Sequence, residues 1–152
     1  MPSSRAAALV EQLHAASQAL IALIQGIDAA HWVQVPREGV WSAGKDAEHV
    51  VEGNAVHQWA VRQSVGQQAG ARPAVERARL TALGSQADVV DRLRRSTDES
   101  VQLIHSLTDE QLDLPMRTRT RTVAQMIERV LIGHYDTHRG EIQAKLRRAA
   151  RE

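Results

Sequence analysis

The sequence predicts an all-α protein built as a four-helix bundle, and three observations carry this prediction. Hydrophobic residues make up 43% of the chain and are mostly Ala, Val, Leu and Ile, with no Phe, a composition that favours helices over sheets. Apolar residues recur at spacings of three, four and seven along four segments, which is the period of an amphipathic helix. Ser or Thr residues suited to N-capping precede three of these segments. Four such apolar stripes are buried most economically against one another.

Two predicted helices flank an irregular segment in the first half of the chain. The first helix runs from about Ser4 to Gly26, and its apolar face consists of Leu9, Leu13, Leu20, Leu23 and Ile27. Breakers and aromatic residues follow, which predicts a packed loop around Trp32, Pro36, Gly39 and Trp41. Ser42 can cap a second helix that continues to about Val65.

The second half of the chain predicts two further long helices after an extended connection. Residues 66–85 lose the apolar period and gain Gly and Pro, which predicts a long surface crossover with room for one helical turn. Ser85 begins a third helix that ends near Leu107, and Thr108 caps a short turn that Pro115 ends before an exposed run, MRTRTRT. Thr122 then caps a fourth helix, whose apolar face consists of Val123, Ile127, Val130, Leu131, His134, His138 and Ile142.

Length, charge and cysteine content limit the classes of function. A chain of 152 residues suits a single domain over residues 1–152. Its 19 basic and 18 acidic side chains are spread along the chain and give a formal net charge of +1, so no strong field would attract nucleic acid. Because the chain has no cysteine, any bound metal must have nitrogen or oxygen ligands.

The apolar N-terminal segment predicts no membrane span. Glu11, Gln12 and His14 interrupt it, so no stretch approaches the roughly 20 apolar residues that a span requires. We therefore expect a cytoplasmic protein without a membrane partner, either an enzyme or a binding protein.

A pair of histidines on the fourth helix is the first candidate for chemistry. His134 and His138 are four residues apart, so their directions differ by about 40° and they lie about 6 Å apart along the helix axis. Two imidazoles at that spacing can share one metal ion. Since the pair continues the stripe of Ile127 and Leu131, both rings are predicted to face the bundle interior. The alternative is that each ring hydrogen-bonds a neighbouring group in the core.

A third histidine would complete a metal site, and His49 is the best placed of the candidates, which also include His14, His31, His57 and His105. His49 lies early on the second helix, on a stripe of small residues that continues through Gly53, Val56 and Ala60. That stripe could face the helix that carries the pair. His57 lies two turns further on and either lines the same cavity or stands half-exposed beside Trp59.

The segment WSAGKDAEHVVEGNAVHQW and the later segment GHYDTHRGEIQAKL together resemble the DinB-like superfamily, which includes the low-molecular-weight-thiol S-transferases. The resemblance spans nearly the whole chain. It implies an up-down-down-up four-helix bundle, a homodimer and a three-histidine site carried by His49, His134 and His138. It also implies a divalent metal ion, for which zinc and nickel are the first choices. A low-molecular-weight thiol is a further cofactor candidate.

Three neutral imidazoles leave coordination positions open, which is typical of catalytic zinc sites and not of closed structural ones. Such a site could activate water for hydrolysis or a thiol for transfer to a small-molecule substrate. Glu52 is the first candidate for proton transfer or for orienting a ligand, ahead of Glu48, Asp136 and Glu141. His57 and Trp41 are candidates for cofactor binding, and Tyr135 is interpreted as a packing residue. The basic run Arg117, Arg119 and Arg121 could meet an anion.

Three classes of function therefore stand side by side. The first is a metal-dependent enzyme, a thiol S-transferase or a hydrolase. The second is a metal-binding or ligand-binding protein that acts in a stress response without turnover. The third is a structural bundle whose histidines are hydrogen-bond partners in the core.

Overall fold

The computed structural model describes residues 3–118 and 120–152, and these residues form an all-α bundle. The helices are α1 (Ser4–Gln25), α2 (Ala29–Val33), α3 (Ala43–Ser64), α4 (Gln86–His105), α5 (Asp109–Leu112), α6 (Val123–Met126) and α7 (Gly133–Ala149), and a π-helical segment (Ile127–Ile132) joins α6 to α7. The described residues contain no strand, only an isolated bridge between Pro115 and Thr122.

Side-chain caps begin the helices where the sequence predicts them. Ser42 accepts a hydrogen bond from the backbone N–H of Lys45 at the start of α3, and Ser85 caps α4 in the same way. Thr108 and Thr122 each form a reciprocal capping box, before α5 and α6. Each cap satisfies a backbone N–H that has no partner inside its helix, so these predicted starts are confirmed.

Two segments predicted as irregular contain more order than expected. Asp28 caps the short helix α2, and the Trp32 ring on that helix is buried and donates from Nε1 to the carbonyl oxygen of Gly84 at 3.2 Å. In the run predicted to be exposed, Met116 is buried and its N–H bonds the carbonyl oxygen of Arg121 at 2.8 Å. Both differences arise because these side chains have apolar surface that the bundle core can cover.

The four long helices enclose one core. α1 packs against α4 and α7, and α3 packs against the same two helices. Fully buried apolar side chains come from all four and include Leu13, Leu20, Val50, Leu93, Ile104 and Ile142. The pairing follows from the apolar stripe on each helix, because each stripe must be covered by another.

Side-chain pairs show how neighbouring helices align. Asn54 on α3 donates to Oγ of Ser96 on α4 at 2.8 Å, and one turn later Gln58 donates to Oγ of Ser100 at 2.8 Å. The residue numbers of the contacting pairs therefore rise in the same direction along α3 and α4. Along α7 the order is reversed, because His49 lies beside His138 and the later His57 lies beside His134.

The connection between α3 and α4 runs back along α3. Nε1 of Trp59 donates to the carbonyl oxygen of Gly70 at 3.1 Å, and Nε1 of Trp41, before α3, donates to that of Arg77 at 3.2 Å. The backbone N–H of Ser42 then bonds the carbonyl oxygen of Leu80 at 2.8 Å. This return path along α3 brings α4 to begin near the start of α3.

The predicted fourth helix is not a regular α-helix throughout. Its first turn, α6, passes into a π-helical segment before α7 begins at Gly133. A π-turn holds more residues than an α-turn, so it changes the phase of everything that follows. After this segment the predicted stripe is confirmed at His138 and Ile142, which are buried. It is wrong in its first turn, because Tyr135 is fully buried on the inner face whereas His134 is only half-buried.

By its length and composition alone, helix α1 could cross a membrane. The polar residues that interrupt its sequence therefore do not exclude a membrane span by these two criteria. Nine of its residues are buried, and its inner face packs against α4 and α7. That placement is the one expected of a core helix in a bundle.

Candidate metal centre

Three histidines from two helices converge inside the bundle. His49 comes from α3, and His134 and His138 come from successive turns of α7. One ring nitrogen of each lies within 4.8 Å of one ring nitrogen of each of the others. The ring centroids of His134 and His138 are 4.5 Å apart, and that of His49 lies 4.9 and 5.0 Å from them. One ion between the three rings could contact a nitrogen of each.

Gly53 allows His134 to approach α3. A Cβ atom at position 53 would lie 2.5 Å from Nδ1 of His134, closer than side chains tolerate. Gly53 lies one turn after His49, so the gap it leaves is at the same level as the centre. The π-helical segment turns His134 toward this gap, while Tyr135 takes the core position and hydrogen-bonds Asn54 and Thr97 at 2.7 Å each. Tyr135 therefore packs in the core, as interpreted, with its hydroxyl hydrogen-bonded to two side chains.

A buried carboxylate that the sequence analysis missed orients His138. Oδ1 of Asp46 lies 3.1 Å from Nδ1 of His138, and Lys145 donates to the other oxygen of Asp46. Glu141, an earlier candidate, also lies 3.1 Å from Nδ1 of His138. Because Nδ1 faces these carboxylates, Nε2 is the nitrogen that His138 has left for an ion. The only sequence signal for Asp46 was its position three residues before His49, on the same helix face.

Burial and neighbouring charges set the protonation of the centre. Burial is the main reason that the pKa of His49 is lowered to about 4 and that of His134 to about 3, and the electrostatic interaction with His138 lowers both pKa values further. Burial acts to raise the pKa of Asp46, but the hydrogen bonds from His138 and Lys145 outweigh it and hold that pKa below its usual value. Two neutral imidazoles and an ionised carboxylate therefore stand together at neutral pH.

His57 and Trp41, the two candidates for cofactor binding, flank the centre on opposite sides. The ring of His57 lies 5.2 Å from that of His134, and burial lowers the His57 pKa to about 4. The ring of Trp41 lies 5.0 Å from that of His49. Both side chains border the three histidines, His57 toward the end of α3 and Trp41 before its start.

Glu52, the candidate for proton transfer, contacts the α3–α4 connection. Its Oε2 accepts a hydrogen bond from the backbone N–H of Glu76 at 2.8 Å, and its Oε1 lies 3.9 Å from Nζ of Lys45 and has no hydrogen-bond partner among the described residues. Glu48 is buried and pairs with Arg79 at 3.1 Å. These contacts hold the connection on α3, beside the centre.

Several other candidates lie elsewhere. His14 is exposed on α1, His105 is exposed at the end of α4, and His31 pairs with Asp28. Asp136 is exposed on α7. In the basic run, Arg117 donates to the side chain of Gln63 at 3.3 Å, near the far end of α3 from His49, and Arg119 lies outside the described residues.

The donor set fits a divalent metal ion. Nδ1 of His49 and Nδ1 of His134 are buried and have no hydrogen-bond partner among the described residues. A buried polar atom without a partner costs roughly 1–3 kcal/mol, and rings free of such bonds can turn a nitrogen toward an ion. Three imidazoles without a thiolate suit zinc, nickel and related ions.

A helical bundle with converging histidines on two helices defines a class of proteins that can hold a metal in the bundle core. Within that class, this chain belongs to the DinB superfamily, because the family's sequence profile matches residues 12–142. The match confirms the resemblance seen in the sequence. No curated protein matches the chain, and no solved structure matches it either.

Proposed function

We propose that this protein binds one divalent metal ion through His49, His134 and His138 and uses it in an enzymatic reaction on a small molecule. The observation that carries the proposal is the approach of three imidazole nitrogens to within 4.8 Å of one another, from two helices. Membership of the DinB superfamily supports it. Zinc or nickel is the proposed ion, because neutral imidazoles suit both.

The reaction proposed is thiol S-transfer or hydrolysis. When bound, a divalent ion with open positions supplies Lewis-acid activation of a thiol or of water for nucleophilic attack. Asp46 keeps His138 in one orientation through its contact with Nδ1. Glu52 is the proposed proton carrier, since its Oε1 has no hydrogen-bond partner among the described residues. Trp41 and His57 border the space in which the small molecule or a thiol cofactor would bind.

A metal-binding or ligand-binding role without turnover, such as a stress-response protein would have, is the second candidate. One observation favours it, namely that His49 and His138 are only 6% and 8% exposed. Such burial restricts the access of substrate more than it restricts the access of an ion.

The order of the helices, the oligomeric state, the cellular location and the partners form a further part of the proposal. We propose an up-down-down-up order of the four long helices, which is supported by the parallel pairs between α3 and α4 and the reversed pairs between α3 and α7. A cytoplasmic homodimer that acts on a small molecule, without nucleic-acid or membrane partners, is proposed from the family resemblance and the balanced charge. Light scattering of the protein as it elutes from a size-exclusion column tests whether it is a dimer.

Metal content tests the main proposal. The protein is purified without a metal-affinity tag, loaded with zinc or nickel, and analysed by mass spectrometry beside His49→Ala and His138→Ala. We expect about one ion per chain in the unaltered protein and a large loss in both variants, because each loses one of three ligands. His14→Ala is the control, since His14 is exposed on α1. No metal after loading would contradict the proposal.

Turnover separates the two candidate functions. The loaded protein is incubated with low-molecular-weight thiols and electrophiles and, separately, with esters and amides. Product formation that His138→Ala abolishes supports the enzyme. Stoichiometric metal with no turnover on either panel would favour the binding protein.

A further inference from the structure

A surface cavity of about 240 Å³ lies between the segment that follows α2, the start of α3 and the end of α7. Arg37, Ala43 and Arg148 represent these three elements on its wall, and none of the three histidines of the proposed centre lines it. Pockets for drug-sized ligands typically measure roughly 300–1,000 Å³. The cavity therefore suits a molecule somewhat smaller than these.

Positive charge predominates on the cavity wall. Arg37, Lys145 and Arg148 line it, and Glu152 is the one acidic residue among the described residues that do so. The Lys145 ammonium is already paired with the buried carboxylate of Asp46. Arg37 and Arg148 are exposed, and their guanidinium groups make no ion pair and no hydrogen bond within residues 3–118 and 120–152. Two of the three cations therefore keep their N–H donors available.

Apolar side chains form another part of the wall, and they are Pro36, Ala43, Leu146 and Ala149. Ala43 is buried, and Leu146 packs against the hydrophobic core. An apolar group that entered the cavity would be removed from water together with this surface, which is favourable. The wall is completed by Gln34 and by His31, whose ring is paired with Asp28. The cavity thus combines unpaired cations with apolar surface.

The helix dipole does not account for both unpaired arginines. Cations stabilise the last turn of a helix, so Arg147 and Arg148 at the end of α7 need no ligand on that ground. Of these two, only Arg148 lines the cavity. Arg37 belongs to no helix, and it reaches the same cavity from a separate segment of the chain. Two cations from distant parts of the sequence therefore share one cavity.

We propose that this cavity binds a small organic carboxylate, whose charged group contacts Arg37 and Arg148 and whose apolar part packs against Pro36 and Leu146. A guanidinium group matches a carboxylate through two parallel N–H donors. A single negative charge suits the site, because Glu152 offsets one of the two unpaired arginines. The cavity is separate from the histidine centre, so this inference goes beyond the proposed metal-dependent function and does not depend on it.

Two aromatic ligands that differ in charge test the inference by fluorine NMR titration of metal-free protein. The salt concentration is about 0.15 M, which screens charges more than about 8 Å apart. 4-Fluorobenzoate carries the carboxylate, and 4-fluorobenzamide carries a neutral amide of nearly the same size. We expect the carboxylate to bind about tenfold more tightly, as a charge-assisted contact implies. Acetate, which lacks the apolar part, should displace 4-fluorobenzoate only at concentrations at least about tenfold above those that benzoate requires.

Variants of the wall locate the bound carboxylate. Arg37→Gln and Arg148→Gln should each weaken 4-fluorobenzoate binding by about tenfold and leave amide binding within about twofold. Glu152→Gln should strengthen carboxylate binding, because it removes a negative charge from the wall. Arg147→Gln is the matched control, since this exposed arginine neighbours Arg148 but does not line the cavity. Its change should leave carboxylate binding within about twofold of the unaltered value.

The results that would overturn the inference are distinct. Equal affinity for 4-fluorobenzoate and its amide would show that the charge is not recognised. Unchanged carboxylate affinity in both Arg37→Gln and Arg148→Gln would place the ligand elsewhere, and an equal loss in Arg147→Gln would indicate non-specific attraction to basic residues. Weakened binding in His49→Ala would place the carboxylate at the histidine centre. None of these results bears on metal content, so this inference and the proposed function can fail independently.

Discussion

Single side chains at the centre act mainly by controlling how closely the rings can meet and which way they turn. Gly53 leaves the space that His134 fills, and Asp46 fixes the ring of His138. Neither residue is among the three proposed ligands. Their substitution should therefore change metal binding more than it changes the stability of the bundle.

Gly53→Ala should weaken metal binding by at least about tenfold. The added Cβ would lie 2.5 Å from Nδ1 of His134, so the ring must move away from His49. Dissociation constants from competition with a chromophoric chelator measure the effect. Gly140→Ala is the matched control, because a Cβ at that position on α7 meets nothing within 4 Å, and Ala stabilises a helix interior by roughly 0.5–1 kcal/mol over Gly. Equal metal affinity in the two variants would contradict this account of Gly53.

Asp46→Asn should lower metal affinity by roughly 10- to 100-fold, the range typical of carboxylates that orient a histidine ligand. The amide retains the size of the side chain but removes the charge that faces His138 and Lys145. The same chelator competition measures it. Asp136→Asn, an exposed change on α7 between the two ligands, should leave the affinity within about twofold of the unaltered value. A normal affinity in Asp46→Asn would show that the His138 ring does not need this partner.

Whole elements position the centre through two features that depart from regular helix. The π-helical segment Ile127–Ile132 rotates α7 so that Tyr135 enters the core and His134 faces α3. The α3–α4 connection is fastened along α3 by a network around Lys45, which is fully buried and donates to the carbonyl oxygen and a carboxylate oxygen of Glu76. A buried ammonium is tolerated only when it is paired in this way.

Glu76→Gln should reduce stability at neutral pH, and the difference from the unaltered protein should shrink on acidification. The hydrogen bond from Lys45 is the main cause of the lowered pKa of Glu76. A lowered folded-state pKa means that the stabilisation is fully present above the unfolded pKa of about 4.5 and is lost as pH falls through the folded value. Urea unfolding at a series of pH values measures it, with Glu99→Gln, exposed on α4, as the control. A difference that stays constant down to about pH 3 would contradict the assignment.

Metal binding at the proposed centre would be coupled to folding of the whole molecule, because the proposed ligands come from α3 and α7, which are far apart in sequence and adjacent in the bundle. An ion that binds only the folded chain stabilises it by about 4 kcal/mol when present at roughly a thousand times its dissociation constant. When the ion is removed, the three rings no longer link α3 to α7.

Zinc should therefore raise the midpoint of thermal unfolding by roughly 10 °C relative to protein treated with a chelator. Differential scanning calorimetry measures the shift. His134→Ala should show little or none of it, whereas His105→Ala, exposed at the end of α4, should respond as the unaltered protein does. A shift of the same size in His134→Ala would place the bound ion somewhere other than the proposed centre.

Local signals in the chain were enough to predict the four long helices, their capped starts and the long connection before α4. Caps and apolar periods act between residues a few positions apart, so they can be read without knowing the partner helices. His134 and His138 were paired by the same short-range rule, and the small residues after His49 indicated the helix face that could meet them. The structure does bring these three side chains together.

The remaining features depend on contacts between elements that are distant in sequence. The phase change in the fourth helix places Tyr135 in the core, where its hydroxyl contacts Asn54 on α3 and Thr97 on α4. Asp46 meets His138 across 92 residues, and the α3–α4 connection lies beside the centre only because it folds back along α3. No local pattern encodes such meetings, because they arise when burial of the helix faces brings separate segments together.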